Sequence, residues 1–186
     1  MKLHRLAVAL VHHPVLDRRG DVVTSALTNL DVHDIARTAR TYGVGRFYVV
    51  TPLAEQLQLL DRILDHWRDG HGAGYNPDRK EALSLVAGVS SLTAALDDWQ
   101  RLCGAEPLPV LTAAARDGQF TFGDCARELA RQPLMLVLGT GWGLAPELFQ
   151  NGWPVLTPIR GAGSYNHLPV RAAAAIMLDR LDGQSG

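Results

Sequence analysis

Two glycine-rich turns in the C-terminal third of the chain carry its clearest chemical signal. The first, GTGWGL at residues 139–144, follows an apolar run at 134–138. The second, RGAGSYN at residues 160–166, follows a shorter apolar run at 155–159. Glycine lets the backbone approach a ligand closely, with its amide N–H groups free to donate hydrogen bonds. Because open α/β sheets bind nucleotide-like ligands at the carboxyl ends of their strands, the two turns predict a nucleoside site built mostly from backbone.

The spacing of these glycines separates the possible kinds of nucleotide site. A phosphate-binding P-loop needs G-x-x-x-x-G-K-[ST], and no lysine follows Leu144. A dinucleotide fingerprint needs G-x-G-x-x-G at the first strand, whereas this G-x-G-x-G follows the fifth predicted strand. Apart from Arg160 there are few cations nearby to neutralise a polyphosphate. A ligand with adenine and ribose but no phosphate fits better, and S-adenosylmethionine (SAM) is the common one, although a tight strand-to-helix connection would also explain the glycines.

The composition excludes several other classes of protein. The 186 residues, 47% of them hydrophobic, predict a single domain over residues 1–186. No apolar run approaches the roughly 20 residues of a membrane span, and residues 6–11 predict a strand rather than a signal peptide. Cys103 and Cys125 match no metal or redox motif, and the histidines show no metal-ligand spacing, so we expect a cytoplasmic protein without a metal. The net charge of −1 leaves only a local basic patch, or one completed by a partner subunit, for contact with nucleic acid.

Short apolar runs alternate with helical periodicity along the whole chain. Strands are predicted at residues 6–11, 46–50, 83–89, 108–112, 134–138 and 155–159. Helices are predicted at 31–42, 54–67, 92–102, 121–131 and 167–181, with Asn29 or Asp31 capping the first and Ser91 the third. This order predicts an α/β fold with a mainly parallel sheet of about six strands and helices on both faces. Residues 69–79 are expected to form a loop, which is either a plain connection or a lid over RNA, and residues 182–186 a disordered tail.

Three segments resemble the motifs of a known enzyme family. The segment TNLDVHDIARTARTYGV resembles motif one of the SPOUT-class RNA methyltransferases, LMLVLGTGWGLAPEL motif two, and TPIRGAGSYNHLPVRAAAAIMLDRL motif three. More closely, nearly the whole chain is similar to the small SAM-dependent RNA methyltransferase family found alone or fused to bacterial tRNA (guanine-N1) methyltransferases. The resemblance implies a C-terminal deep trefoil knot and a homodimer. It also implies SAM bent into the knot loops and a tRNA or rRNA site shared between subunits.

The resemblance also implies which residues bind the cofactor. SAM would lie against three loops, one after each of the last three predicted strands, with backbone groups contacting the adenine edge. The implied residues are Leu111, Thr112, Ala113, Leu138, Gly139, Thr140, Gly141, Gly143, Leu144, Ile159, Arg160, Gly161, Ser164, Tyr165, Asn166, His167 and Leu168. No metal is needed, because a sulfonium methyl is already activated and the enzyme must mainly align the acceptor and remove a proton.

Arg37 is the preferred catalytic residue. It lies six positions after Asp31, like the motif-one arginine of the branch that methylates the ribose 2′-hydroxyl. Asp31 and His33 are further catalytic candidates, although Asp31 can equally be a helix cap. This chain has Asp31 and His33 where that branch has asparagine and glycine, and Gly141 where it has glutamate. A base nitrogen is therefore as good a candidate acceptor as the ribose hydroxyl.

Two other functions remain open from the sequence. The near-neutral charge and the absence of a separate RNA-binding domain are compatible with a SAM-binding or RNA-binding accessory module without catalysis. A nicotinamide-dependent oxidoreductase is a weaker alternative, because it would need an N-terminal dinucleotide fingerprint.

Overall fold

A five-stranded, entirely parallel sheet forms the centre of the protein. The computed structural model describes residues 3–163 and 165–183. The strands of this sheet are β1 (Leu6–Val11), β4 (Arg46–Val50), β5 (Val86–Val89), β6 (Leu108–Leu111) and β7 (Leu134–Gly139). The other two strands, β2 (Val15–Leu16) and β3 (Val22–Val23), form a separate short antiparallel hairpin. The order across the sheet is β5-β4-β1-β7-β6, so the first strand of the chain is central. The order reverses next to β1, which is where such sheets bind ligands.

Helices cover both faces of the sheet, as predicted. They are α1 (Asn29–Thr41), α2 (Ala54–Arg68), α3 (His71–Tyr75), α4 (Pro77–Leu83), α5 (Leu92–Cys103), α6 (Phe122–Arg131) and α7 (Val170–Gly183). Alternate residues of β1 belong to two separate buried clusters, with Leu6, Val8 and Leu10 in one and Ala7, Ala9 and Val11 in the other. Buried residues of α1, α2, α6 and α7 pack in the first cluster and those of α5 in the second. No helix within the described residues is long and apolar enough to cross a membrane.

The cap of α1 differs from the prediction in a way that matters for the site. Thr28, rather than Asn29 or Asp31, caps the helix, because its hydroxyl oxygen accepts a hydrogen bond from the Asp31 amide at 3.2 Å. The same hydroxyl donates to the Asp31 carboxylate at 2.5 Å, which fixes that side chain at the start of the helix. The predicted cap of α5 is confirmed, since the Ser91 hydroxyl oxygen accepts from the Ala94 amide at 3.1 Å.

Three predicted elements are wrong in part. Residues 155–159 do not form a full sixth strand: Val155 makes one parallel bridge to Leu111 at the end of β6, Leu156 makes one to Phe120, and prolines at 154 and 158 limit further pairing. The strand predicted at 83–89 is shortened to Val86–Val89, because residues up to Leu83 belong to α4. The expected loop at 69–79 consists largely of α3 and the start of α4, where the Asn76 side chain caps α4 by accepting from the Arg79 amide.

The last helix begins later and ends later than predicted. It starts at Val170, directly after Pro169, whose ring cannot follow a helical turn. Asp182 and Gly183, which were expected in the tail, lie within α7, and residues 184–186 lie outside the described residues. Helix α7 packs against α1 and α6, which places its first turn beside the start of α1.

Candidate cofactor cleft and acceptor site

A cleft of about 970 Å³ opens at the carboxyl ends of β6 and β7. Three chain segments form most of its walls: residues 112–116 after β6, residues 138–144 around the end of β7, and residues 159 and 166–171 leading into α7. Residues 25, 26, 28 and 31 line it from the segment that enters α1, and Leu16, Phe149, Arg160, Ala173 and Met177 complete the lining. Its volume lies within the range of about 300–1,000 Å³ that is usual for ligand pockets, at the location that the sheet topology favours.

The first glycine turn is held in one conformation by its own hydrogen bonds. The Thr140 amide donates to the Val11 carbonyl at 3.2 Å, and the Trp142 amide donates to the Leu16 carbonyl at 2.9 Å. Gly141 has φ of +58°, and a Cβ there would lie 2.8 Å from the Leu16 carbonyl oxygen. Only glycine fits this position without strain, so the turn is preformed against the β2–β3 hairpin.

Two side-chain contacts join the second glycine turn to the segment after β6. The Asn166 side-chain amide donates to the Ala114 carbonyl at 3.4 Å, and the Arg160 guanidinium pairs with the Asp117 carboxylate. Next to them, Arg116 stacks over the Phe149 ring with its Cζ 4.2 Å from the centroid. These contacts close one side of the cleft.

Most of the residues predicted to bind the cofactor line this cleft. Those that do are Thr112, Ala113, Leu138, Gly139, Thr140, Gly141, Gly143, Leu144, Ile159, Arg160, Asn166, His167 and Leu168. Leu111 lies in the core beneath it with no exposed surface, and Tyr165 is 78% exposed. Gly161 is likewise absent from the described lining. Ser164 lies outside the described residues. The binding role of each residue stays a prediction.

The predicted catalytic residues are divided between two places. Asp31 lines the cleft, where its Oδ1 accepts a hydrogen bond from Arg171 Nη1 at 3.2 Å. Arg171 Nε also lies 3.5 Å from the Asp34 carboxylate. Arg37 is exposed on α1 and, within the described part of the chain, is not among the residues that line the cleft.

His33 is not among the described residues that line the cleft; it is buried against the half-buried Trp67. Its ring meets Trp67 edge-on with 5.5 Å between centroids, and Arg79 Cζ lies 4.9 Å from a Trp67 ring centroid. His33 is 7% exposed, and its Nδ1 has no hydrogen-bond partner among the described residues. The packing of His33 therefore favours a structural role within this protomer.

The comparisons with known proteins agree with this geometry. A family model described as SAM-dependent RNA methyltransferase matches residues 5–183. This chain belongs to that family. The match confirms the family of SAM-dependent RNA methyltransferases that the three motifs predicted.

Two relatives of this chain differ in length. The chain is 48% identical over 178 residues to a tRNA (guanine-N(1)-)-methyltransferase of Nitratidesulfovibrio vulgaris, and the alignment covers 96% of this chain but 42% of that protein. It is 36% identical over 177 residues to an uncharacterized protein of Aquifex aeolicus, covering 94% of this chain and 86% of that protein. The chain thus spans less than half of the first relative.

A solved structure shows the same fold. The SpoU methyltransferase AviRb from Streptomyces viridochromogenes, determined in complex with AdoMet, superposes with a TM-score of 0.60 at 19% identity. The alignment covers 96% of this chain and 57% of that one. The likeness confirms the SPOUT-type α/β architecture.

The residues of the methyltransferase cleft fit SAM. Leu138, Ile159 and Leu168 are apolar residues of the cleft lining that would form walls for an adenine ring, and backbone groups of the turns that are free of other contacts would be its polar partners. Among the described residues, no group of three or more His, Cys, Asp or Glu side chains could hold a metal ion.

Sequence reasoning missed the contribution of residues 25–28 to this cleft. Gln56 holds this segment, because its Oε1 accepts from the Leu27 amide at 2.9 Å and its Nε2 donates to the Ser25 carbonyl at 3.3 Å. No local pattern indicated Ser25, since a serine before a helix predicts at most a cap. For Thr28, the capping preference of threonine before an acidic first turn was the available signal.

Two buried histidines make the stability of the protein depend on pH. Burial lowers the pKa of His12, and the nearby Asp31 carboxylate partly opposes this shift. Burial and the Arg79 guanidinium lower the pKa of His33. A histidine whose pKa is lower in the folded state stabilises the fold fully above its unfolded value of about 6.5, and this contribution is lost as the pH falls.

We therefore expect the free energy of unfolding to fall between pH 7 and pH 5, with each histidine adding at most about 1.4 kcal/mol per pH unit. Urea unfolding of the wild type and His33→Gln across this range measures it, and the variant should give the shallower slope. Equal slopes for the two proteins would contradict the assignment to His33. The contribution from His33 should be constant between pH 7.5 and pH 8.5.

Proposed function

We propose that this chain transfers a methyl group from SAM to a nucleotide of tRNA, as a homodimer in the cytoplasm. The observation that carries the proposal is the cleft beside the glycine turns, with the Asp31–Arg171 pair at the start of α1 and α7. The name of the longer Nitratidesulfovibrio relative supports tRNA as the substrate class. Free Cys103 and Cys125 are compatible with a reducing compartment.

The residues of the cleft have separable tasks. Bound SAM supplies an electrophilic methyl group on its sulfonium. The two glycine turns would hold the nucleoside part of SAM and so limit the positions that its methyl group can take relative to the acceptor. The Asp31 carboxylate accepts the proton of the RNA nucleophile, a base nitrogen or a ribose hydroxyl, while Arg171 holds that carboxylate in place.

The placement of Arg37 supports a site completed by a second subunit. Arg37 is exposed and lies outside the cleft lining as described for its own chain. Exposed apolar side chains lie at the start of α1 and on the cleft loops: Leu30 is 62% exposed, Trp142 61% and Leu168 44%. A two-fold interface over this surface would bury them and bring the partner's α1 close to the cleft.

The C-terminal trefoil knot is part of the same proposal. The Leu156 amide donates to the Leu111 carbonyl at 2.9 Å, and the Phe120 amide donates to the Val155 carbonyl at 3.1 Å. Residues 155–156 thus lie between the two ends of the segment 111–120. This is the arrangement expected when the chain leading into α7 passes through a loop.

The proposal is tested first by titrating the purified protein with SAM and S-adenosylhomocysteine in a calorimeter, with NADH as the control ligand. One SAM per chain, bound at micromolar concentration, and methyl transfer from labelled SAM to bulk tRNA are the expected results. A folded protein that binds SAM but methylates neither tRNA nor rRNA would indicate an accessory module. A folded dimer that binds no SAM would contradict the proposed function.

Gly141→Ala is expected to lower the affinity for SAM by more than about tenfold, because both the positive φ and the Leu16 carbonyl oppose a Cβ there. Gly152→Ala is the matched control: its φ is +72°, nothing lies within 4 Å of the added Cβ, and it lies outside the cleft lining. Gly152→Ala should lose about 1 kcal/mol of stability from backbone strain alone, and Gly141→Ala should lose more, because its Cβ also meets the Leu16 carbonyl oxygen. Calorimetry of all three proteins measures the effect, and equal SAM affinities would place the turn outside the cofactor site.

A further inference from the structure

A buried chain of hydrogen bonds connects the end of β1 to the first glycine turn. His12, which directly follows β1, is fully buried, and its Nδ1 lies 2.9 Å from the Ser25 hydroxyl oxygen. The Ser25 hydroxyl contacts the Thr140 hydroxyl, and the Thr140 hydroxyl lies 3.0 Å from the Val11 carbonyl oxygen. Ser25 and Thr140 both line the cleft, so the chain leads from the core to the cofactor site.

The donor and the acceptor of each of these hydrogen bonds follow from the last acceptor in the series, the Val11 carbonyl oxygen. A carbonyl oxygen can only accept, so the Thr140 hydroxyl donates its one proton to Val11. Ser25 must therefore donate to Thr140, and His12 Nδ1 must donate to Ser25. This order requires a proton on Nδ1 and leaves Nε2 bare. Nε2 is indeed buried, with no hydrogen-bond partner in the described part of the chain.

We propose that His12, as the neutral Nδ1–H tautomer, is a positioning residue for SAM. Through Ser25 it orients the Thr140 hydroxyl and so holds the glycine turn 139–144 against the end of β1. This inference rests on the proposed function, because it concerns the same cleft. The lowered pKa of His12 agrees with a neutral ring at pH 7.

Two details of the packing make the hydrogen bond, rather than the bulk of the ring, the important property. The Ser25 backbone is already fixed, since its amide donates to the His12 carbonyl at 2.9 Å and its carbonyl accepts from Gln56. With the backbone held at both sides, only the orientation of the Ser25 hydroxyl depends on the His12 ring. Losing the donor leaves a hydroxyl pair free to rotate beneath the turn.

The test compares two replacements of His12. Asparagine carries an amide NH₂ at the position of Nδ1 and can still donate to Ser25, whereas leucine has similar bulk and no donor. We expect His12→Leu and Ser25→Ala to weaken SAM binding roughly tenfold, and His12→Asn to stay within about threefold of the wild type. His13→Leu is the control: His13 contacts Val23 and Thr24 of the hairpin region and does not line the cleft, so its SAM affinity should be unchanged.

Calorimetric titration of each folded variant with SAM gives the affinities, and ¹⁵N spectra of the ligand-free protein should show a protonated Nδ1 and a bare Nε2 for His12. Wild-type affinity in His12→Leu would overturn the proposal. Equal losses in His12→Leu and His12→Asn would also overturn it, because packing rather than the donor would then matter.

Hydrogen exchange keeps this inference separate from the proposed function. If the wild type binds no SAM, the proposed function fails, but the amides of Thr140, Trp142 and Gly143 still report on the turn. They should exchange faster in His12→Leu and Ser25→Ala than in the wild type and His12→Asn. Unchanged exchange in all four proteins would overturn the positioning role.

Discussion

Replacing Gly118 with alanine is expected to cost about 3 kcal/mol of the free energy of unfolding, which would lower Tm by about 10 °C in a protein of this size. A Cβ at this position would lie 2.3 Å from the Leu156 carbonyl oxygen and 2.4 Å from the Val155 carbonyl oxygen. Both are backbone atoms, so no side-chain rotation relieves the contact. Thermal and urea unfolding of the variant measure the loss.

Gly74→Ala is the matched control for this prediction. Gly74 lies in α3, and nothing is within 4 Å of its added Cβ, so its stability should change by no more than about 0.5 kcal/mol. A Gly118→Ala protein as stable as this control would show that the two chain segments are not in close contact. The proposed passage of residues 155–156 through the loop 111–120 would then lose its support.

The close crossing at Gly118 also explains why the sixth strand was predicted wrongly. The apolar run at 155–159 has the composition of a buried strand, and Leu156 is indeed 1% exposed. However, the segment makes only one bridge to the sheet, at Leu111 at the end of β6, and its next residue pairs with Phe120 on the other side. Apolar composition predicts that a segment is buried. Which strand that segment pairs with depends on the chain topology, and sequence periodicity carries no information about topology.

Most elements that depend on short stretches of sequence were predicted correctly. The five strands of the sheet and the Ser91 cap follow from short apolar runs and from the chemistry of helix starts. The helices at 71–83 were missed because glycines at 72 and 74 and Pro77 favour a loop, and packing against α1 and α2 outweighs that preference.

The candidate site was predictable to the extent that it is made of glycine turns. Gly139, Gly141 and Gly143 line the cleft as expected, because they follow a parallel strand at its carboxyl end, where such sheets bind ligands. The contact between Ser25 and Thr140 joins residues 115 positions apart, and that of Arg171 with Asp31 joins residues 140 apart. Neither pairing has a signature in the spacing of the residues, so only the structure brings them together.

The second prediction with a large expected effect concerns the rate of methyl transfer. Arg37→Ala should reduce methyl transfer at saturating SAM by about 100-fold or more, because a misplaced acceptor reacts far more slowly, and SAM affinity should be unchanged, because Arg37 lies outside the described cleft lining. Arg40→Ala is the control on the same exposed helix surface, where Arg40 pairs with Glu81, and it should remain within a few-fold of the wild type. Single-turnover transfer from labelled SAM measures the rate, and calorimetry the affinity. A normal rate in Arg37→Ala would remove this residue from the mechanism.

Mixed dimers determine which subunit provides Arg37. The Arg37→Ala subunit keeps its cofactor cleft, and the Gly141→Ala subunit keeps its arginine. At a SAM concentration well below the dissociation constant of the Gly141→Ala variant, each form of the proposed homodimer should therefore be weakly active for a different reason. If Arg37 acts on the partner's cleft, random mixing of the two restores one complete site in every mixed dimer, or about a quarter of the wild-type sites in the sample. If Arg37 acts on its own cleft, no complete site forms and mixing restores nothing. Because Arg37 lies outside the lining of its own cleft in the described chain, we expect the restored activity.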